Sequence, residues 1–241
     1  MYFSWTKSIT DFINPGNIEI FSSSLEKKAE RVYYYQRQVK KNINKVIEVA
    51  KERDEETPLE KELQADAISA FQNIHFLGDI LGKMINASLD LGYNFGDDYY
   101  LGSIIGKLES LDNEKYGELI KALKKLTDST EWKQVAFITN REKHNYCFDF
   151  DVKGEDYGLL NVSKHFSNTE VDREEVKSFL KANGFDASNK MINKTVKDLS
   201  KIKHVKVPDE IEKIMQKFLN EININIGEEI YNILEEENRF K

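Results

Sequence analysis

Residues 57–89, TPLEKELQADAISAFQNIHFLGDILGKMINASL, read as one long helix that is buried around most of its circumference. Thr57 stands where an N-cap belongs, Pro58 takes the first helical position, where a missing N–H costs nothing, and Glu60 completes a capping box. Leu59, Leu63, Ala67, Ala70, Ile74, Leu77, Leu81 and Met84 step by threes and fours along one face. A neighbouring stripe of Ile68, Phe71, His75, Gly78, Gly82, Ile85 and Leu89 makes the middle apolar over more than half its girth. Such a helix belongs at the centre of a bundle.

Upstream, Ser24 offers a cap for a helix whose Leu25, Ala29, Val32, Val39, Ile43, Val46 and Ala50 form one face, ending in the solvated run Lys51 to Glu56. Downstream, the glycines and Asn94 between Leu91 and Asp98 predict a loop, followed by a short helix from about Tyr99 to Leu111. Tyr116, Leu119, Ile120, Leu123 and Leu126 line a third principal helix. The sequence Asp128-Ser129-Thr130-Glu131 then caps a fourth, which turns Trp132, Val135, Ala136 and Thr139 inward and runs to about Asn145.

There the period changes from helical to alternating. Tyr146, Phe148, Phe150 and Val152 face one way and Cys147, Asp149 and Asp151 the other, with Lys153 to Asp156 as the turn and Tyr157 to Val162 as the returning strand. Asp172 starts another helix, closed at Asn183-Gly184; a shorter one follows between Asn189 and Ile202, and Pro208 opens a last one toward Glu237. Ile222-Asn223-Ile224-Asn225-Ile226 alternates like a strand, but Phe218, Ile222, Ile226 and Ile230 also share a helix face, and the long surrounding run favours helix. The expected fold class is all-α: an antiparallel helical bundle with one inserted β-hairpin and C-terminal helices. It is read as a single domain over 1–241, with a bundle core at 24–145, the hairpin at 146–162, and helices at 171–239 packing on the core.

Length and composition agree with that reading. The 241 residues are 40% hydrophobic and 32% charged, above the roughly 25% charge of an average soluble protein. The net charge of −7 argues against indiscriminate coating of nucleic acid, while leaving room for a local basic cleft. One cysteine excludes an intramolecular disulfide and any cysteine-cluster metal site. No apolar run approaches the roughly 20 residues that span a bilayer, and residues 1–14 lack the pattern of a secretory signal, so a cytoplasmic location without membrane partnership is expected.

Four groups of residues carry candidate chemistry. Asn140-Arg141-Glu142-Lys143-His144 closes the fourth helix; Arg141 and His144, three apart, and Asn140 and His144, four apart, are neighbours on its wall. An arginine, a histidine and a carboxamide together grip a phosphodiester and move a proton at neutral pH, whereas the same residues in a last turn also simply complement the helix dipole. His75 and Asp79, four apart, form a pair in which a carboxylate fixes an imidazole tautomer, read here as structural. Gly78 and Gly82 permit close helix packing. Lys194, Lys197, Lys201, Lys203, His204 and Lys206 concentrate positive charge in an acidic chain, and Tyr33-Tyr34-Tyr35 covers almost a full turn, leaving at least one ring near the surface. Phosphate-cradling glycine loops, GxSxG elbows and HExxH pairs are all missing, and neither a cofactor nor a metal is expected. His75 and Asp79 lack further ligands at recognisable spacing for a metallohydrolase.

The segment Ala70 to Ala87, AFQNIHFLGDILGKMINA, followed after an intervening helix by VAFITNREKHNYCFDF, resembles a bacterial branch of the HEPN superfamily. In that branch a helix of the form His-x-x-x-Asp precedes one ending in Asn-x-x-Lys-His, matched here by His75, Asp79, Asn140, Lys143 and His144, and a β-hairpin often follows. The likeness covers roughly residues 25 to 165. It implies an antiparallel bundle that forms a homodimer and, in active members, a metal-independent ribonuclease of toxin–antitoxin or phage-defence systems, with an antitoxin or other protein as a further partner. His144 would act as general acid or base on attack by the ribose 2′-hydroxyl, Arg141 would stabilise phosphoryl charge, Asn140 would orient substrate or imidazole, and Lys143 and Lys133 would contact RNA. The family signature places four to six residues between arginine and histidine, whereas Arg141 and His144 enclose two. Members without nuclease activity imply the alternative, a non-enzymatic helical protein-interaction module.

Overall fold

The computed structural model describes residues 3, 5, 6, 9, 15–50, 57–94, 97, 99–111, 114–143, 150–151, 159–160, 173–182, 187–199, 205–206 and 209–237. In chain order these form α1 (Pro15–Ala50), α2 (Pro58–Leu89), α3 (Leu101–Leu111), α4 (Gly117–Thr127), α5 (Thr130–Lys143), β1 (Phe150–Asp151), β2 (Leu159–Leu160), α6 (Arg173–Ala182), α7 (Asn189–Leu199), β3 (Val205–Lys206), α8 (Asp209–Asn220), a π-helical segment (Glu221–Ile226) and α9 (Gly227–Glu236). The architecture is predominantly helical and of the all-α class. The three two-residue strands pair antiparallel in the order β1-β2-β3, Phe150 opposite Leu160 and Leu160 opposite Val205. The expected turn at 153–156, Cys147 and the remaining hairpin positions lie outside the described residues, as do Asp172, Asn183, Gly184 and Pro208.

Helix starts follow local chemistry. At α2 the Glu60 N–H donates to Thr57 Oγ1 at 3.3 Å, and the Glu60 carboxylate accepts from the Thr57 N–H, which closes the capping box. α1 begins at Pro15 rather than Ser24, because Ile18, Phe21 and Leu25 continue the buried face upstream. At α5 the cap is Ser129, whose Oγ accepts the Trp132 N–H at 3.1 Å. The glutamate thus falls one position early for a capping box, and Glu131 pairs with Lys217 at 2.5 Å instead. α2 ends with Asp90 in the left-handed region (φ 52°) and the Leu91 N–H donating to the Asn86 carbonyl at 3.3 Å, a Schellman closure.

The chain divides into two compact units. The first comprises Met1–Glu30, Ile74–Lys133 and Met215–Lys241. Its core gathers Phe3, Leu25, Leu77, Leu81, Ile104, Leu123 and Ile230, all fully buried, and Trp5 lies against Gly227. Phe218, Ile222, Ile226 and Ile230 are all buried although four residues apart. In a strict α-helix each such step overshoots a full turn by about 40°, which would rotate Ile230 off the core after three steps. The π-helical segment has more residues per turn and cancels that drift, leaving Ile224 outward at 59% exposure.

The second unit comprises Arg31–Asn73 and Gln134–Ile214. Val32, Val39, Leu63, Phe71, Val135, Ile138, Leu180 and Ile211 are buried there. Its surface carries a charged cluster in which Gln36 Nε2 donates to Glu212 Oε2 at 2.9 Å and the Lys40 ammonium donates to the same oxygen. The hydrogen bond from Lys40, then its charge, then the hydrogen bond from Gln36 hold the Glu212 carboxyl below the ordinary glutamate range. A lowered folded value means that the group supports the fold above the ordinary glutamate range and loses that support as pH falls through its own value. In an NMR pH titration Glu212 should therefore titrate below the ordinary glutamate range, and Lys40→Met should move it back toward that range.

The two glycines of α2 differ. A Cβ on Gly78 would lie 2.3 Å from Trp132 Cη2, whereas one on Gly82 would meet Ile104 Cγ1 at an ordinary 3.6 Å. Urea denaturation should show Gly78→Ala destabilised by about 1–3 kcal/mol through overpacking. Gly82→Ala should be neutral or more stable by up to roughly 1 kcal/mol, through helix propensity.

Candidate functional site

α5 carries the candidate cluster because its sequence switches character along its length. From Trp132 to Thr139 every residue is buried, Trp132, Val135 and Ile138 among them, and Asn140, Arg141 and Lys143 occupy the last turn. Arg141 follows Asn140 directly and Lys143 stands two residues further on, in the closing turn, where a cation offsets the partial negative charge of the unsatisfied carbonyls. The side chains of Asn140, Arg141 and Lys143, and His144 altogether, lie outside the described residues.

The other end of α5 is described in full. His75 is 3% exposed, and its imidazole stacks on the Trp132 indole with centroids 5.4 Å apart and planes within 6°. Trp132 stacks in turn on Phe218 at 5.2 Å and 20°, so the indole is clamped between two rings. Gly78, one turn along from His75, provides the space the indole fills. His75 Nδ1 lies 3.6 Å from Asp79 Oδ2, beyond hydrogen-bond distance, and makes no hydrogen bond among the described residues. The imidazole is thus held by ring packing, with the carboxylate close by but outside hydrogen-bond distance. Enclosure under the indole also keeps this imidazole from bulk substrate.

Lys133 corrects an expectation. The resemblance makes it an RNA contact, but it is 3% exposed and its ammonium sits 3.9 Å from Asp128 Oδ1. The next residue in α5 after Trp132 is turned inward with it, and a buried ammonium cannot meet a phosphate from solvent. Sequence reasoning placed Trp132 in the core without its ring partners; the glycine three residues after a helical histidine was the available signal for a flat neighbour.

A cavity of about 220 Å³ opens between α4 and the π-helical segment with α9, lined by Glu118, Lys121, Lys125, Asn225, Glu228 and Glu229. Burial, and then the charges of Glu118, Glu228 and Glu236, push the Glu229 carboxyl up. Lys121 pairs with Glu118 at 2.5 Å and Lys125 with Glu221 at 2.8 Å, so its cations are already engaged. Among the described residues no three acidic, histidine or cysteine side chains gather to hold a metal ion. No described helix is long and apolar enough to cross a membrane.

Compared with protein-family models, curated proteins and solved structures, the chain matches none.

The weight of the aromatic clamp can be measured against that of the His75–Asp79 contact. Trp132→Ala should cost about 3–5 kcal/mol in urea unfolding, as for other buried aromatic truncations. Asp79→Ala should cost at most about 1 kcal/mol, because the carboxylate is partly exposed and too distant for a hydrogen bond. Equal losses would reassign the site to electrostatics.

Proposed function

We propose that this chain is a HEPN-like helical protein that binds RNA or cleaves it without a metal ion, as a homodimer in the cytoplasm of a prokaryote, within a defence or toxin–antitoxin system. The observation that carries the reading is the order of chemistry along α5. Its first turn rests on the His75 ring of the His-x-x-x-Asp helix, and its last turn bears Asn140, Arg141 and Lys143 immediately before His144. In this reading the whole chain acts as one domain, with a bundle core, a hairpin at 146–162 and C-terminal helices packed on the core.

The chemistry follows from the residue types. His144 takes the proton of a ribose 2′-hydroxyl as it attacks the adjacent phosphate, and returns a proton to the departing 5′-oxygen. Arg141 offers paired N–H donors to the phosphoryl oxygens as their charge grows. Asn140 orients the imidazole or the substrate, and Lys143 adds charge for the neighbouring phosphate. A two-fold dimer would bring both copies of the cluster to one groove. No residue in this scheme calls for a metal or an organic cofactor.

A second reading, a non-enzymatic interaction module, is favoured by one observation. Tyr34 is 52% exposed and stands edge-to-face with Tyr35 at 5.3 Å, a surface aromatic of the kind that anchors a protein partner.

Incubation of the purified protein with structured RNA in EDTA separates the two. Cleavage by the wild type, reduced at least about 100-fold in His144→Ala, is the outcome expected of general acid–base catalysis. Undiminished cleavage in the variant removes His144 from the reaction, and no cleavage by either protein leaves the interaction module.

A further inference from the structure

The basic segment noted in the sequence is organised by α6 and α7 in a way the α5 cluster does not use. Residues 173–206 hold nine Lys and Arg against four Asp and Glu, within a chain whose net charge is −7. α6 and α7 pack on each other within the second unit, and the Arg173 guanidinium donates to Asn193 Oδ1 across the pair. Ser188 caps α7, its Oγ accepting the Met191 N–H at 3.4 Å. On the inner side of α7, Ile192 and Thr195 are buried; on the opposite side, Lys190, Lys194 and Lys197 are exposed. At 100° per residue these three lysines fall within about 60° of arc and extend over about 10 Å of helix.

Lys190 and Lys194, four apart, and Lys194 and Lys197, three apart, are neighbours along this line of the helix. Lys190 also stands in a first turn that has no acidic residue, where the helix dipole favours an anion. The line of like charge is convex and narrow, which suits successive phosphates of one nucleic-acid strand. A membrane surface would draw on an apolar helix face as well, and here that face is spent inside the protein.

We propose that the outer face of α7, Lys190, Lys194 and Lys197, with Arg173 beside it, is a phosphate-tracking surface for single-stranded nucleic acid. The proposal goes beyond the nuclease reading, since it needs neither Arg141 nor His144. Each lysine releases counterions from the strand it contacts, so binding through the stripe depends steeply on salt.

The test is fluorescence anisotropy of a short labelled single-stranded RNA of mixed sequence, titrated with full-length protein over a range of salt concentrations. The Lys190→Gln, Lys194→Gln, Lys197→Gln triple variant, with folding checked by circular dichroism, should bind at least about tenfold more weakly at low salt and lose about two from the salt slope. The corresponding triple arginine variant should bind as the wild type does, and Lys194→Glu alone should weaken binding measurably if the triple variant folds poorly. An unchanged affinity and slope in the glutamine variant overturns the proposal. So does failure of the wild type to bind RNA, or its preference for phosphatidylserine vesicles or polyglutamate over RNA. Binding is read apart from cleavage, so a protein that binds through this stripe and cleaves nothing supports the surface and removes only the nuclease reading.

Discussion

The stacking of Trp132 between His75 and Phe218 is the constraint on which the first unit depends. Three helices meet at one indole: α2 supplies the histidine and the gap at Gly78, α8 supplies the phenylalanine, and α5 supplies the indole from its first turn. A flat ring between two flat rings tolerates sliding in its plane but no added thickness, so any group on the Gly78 side must displace it. The Ser129 cap fixes the backbone at the same point, since its acceptor binds the Trp132 N–H. Where α5 begins is therefore set twice, once by a hydrogen bond and once by packing.

Charge is distributed unevenly around this packing. The cavity beside α4 and α9 is rich in glutamates; burial first, and then the charge of its neighbours, raises Glu229, and the cavity's lysines are taken by local ion pairs. The outer face of α7 differs in composition, with exposed lysines spaced along one helix line and no acid in its first turn. A net negative charge opposes indiscriminate association with polyanions, whatever the local distribution of lysines.

Much of the helical framework was legible in the sequence because burial imposes a period. Leu63, Ala67, Ala70, Ile74, Leu77, Leu81 and Met84, all read from spacing as an inward stripe, are buried, and the Thr57–Glu60 capping box is formed. Tyr34, in a run where one ring had to reach the surface, is the exposed one. Other features turn on distances that spacing does not encode. Ser129 and Asp128 are both good caps, and the choice between them depends on where Trp132 must point. The His75–Asp79 spacing fits a hydrogen bond, yet the imidazole plane follows the indole and leaves the carboxylate at 3.6 Å. Lys133 reads as surface charge from its type alone, but its neighbour Trp132 turns that face of the helix inward. The alternation in residues 222–226 concealed a π-helical segment, since the strand-like pattern and the drift-correcting helix place isoleucines at the same positions. Of the candidate cluster, the order of residues and their place in the last turn of α5 were legible, and its chemistry rests on residue type.

The clamp around Trp132 has a spectroscopic readout, because the chain has two tryptophans and Trp5→Phe leaves Trp132 as the sole emitter. Emission of that variant should be blue-shifted, protected from acrylamide, and lost in urea at the same midpoint as the far-ultraviolet circular dichroism. Red-shifted emission open to acrylamide, or a fluorescence transition that precedes loss of helix, would contradict the assignment of this indole as the anchor of the fold.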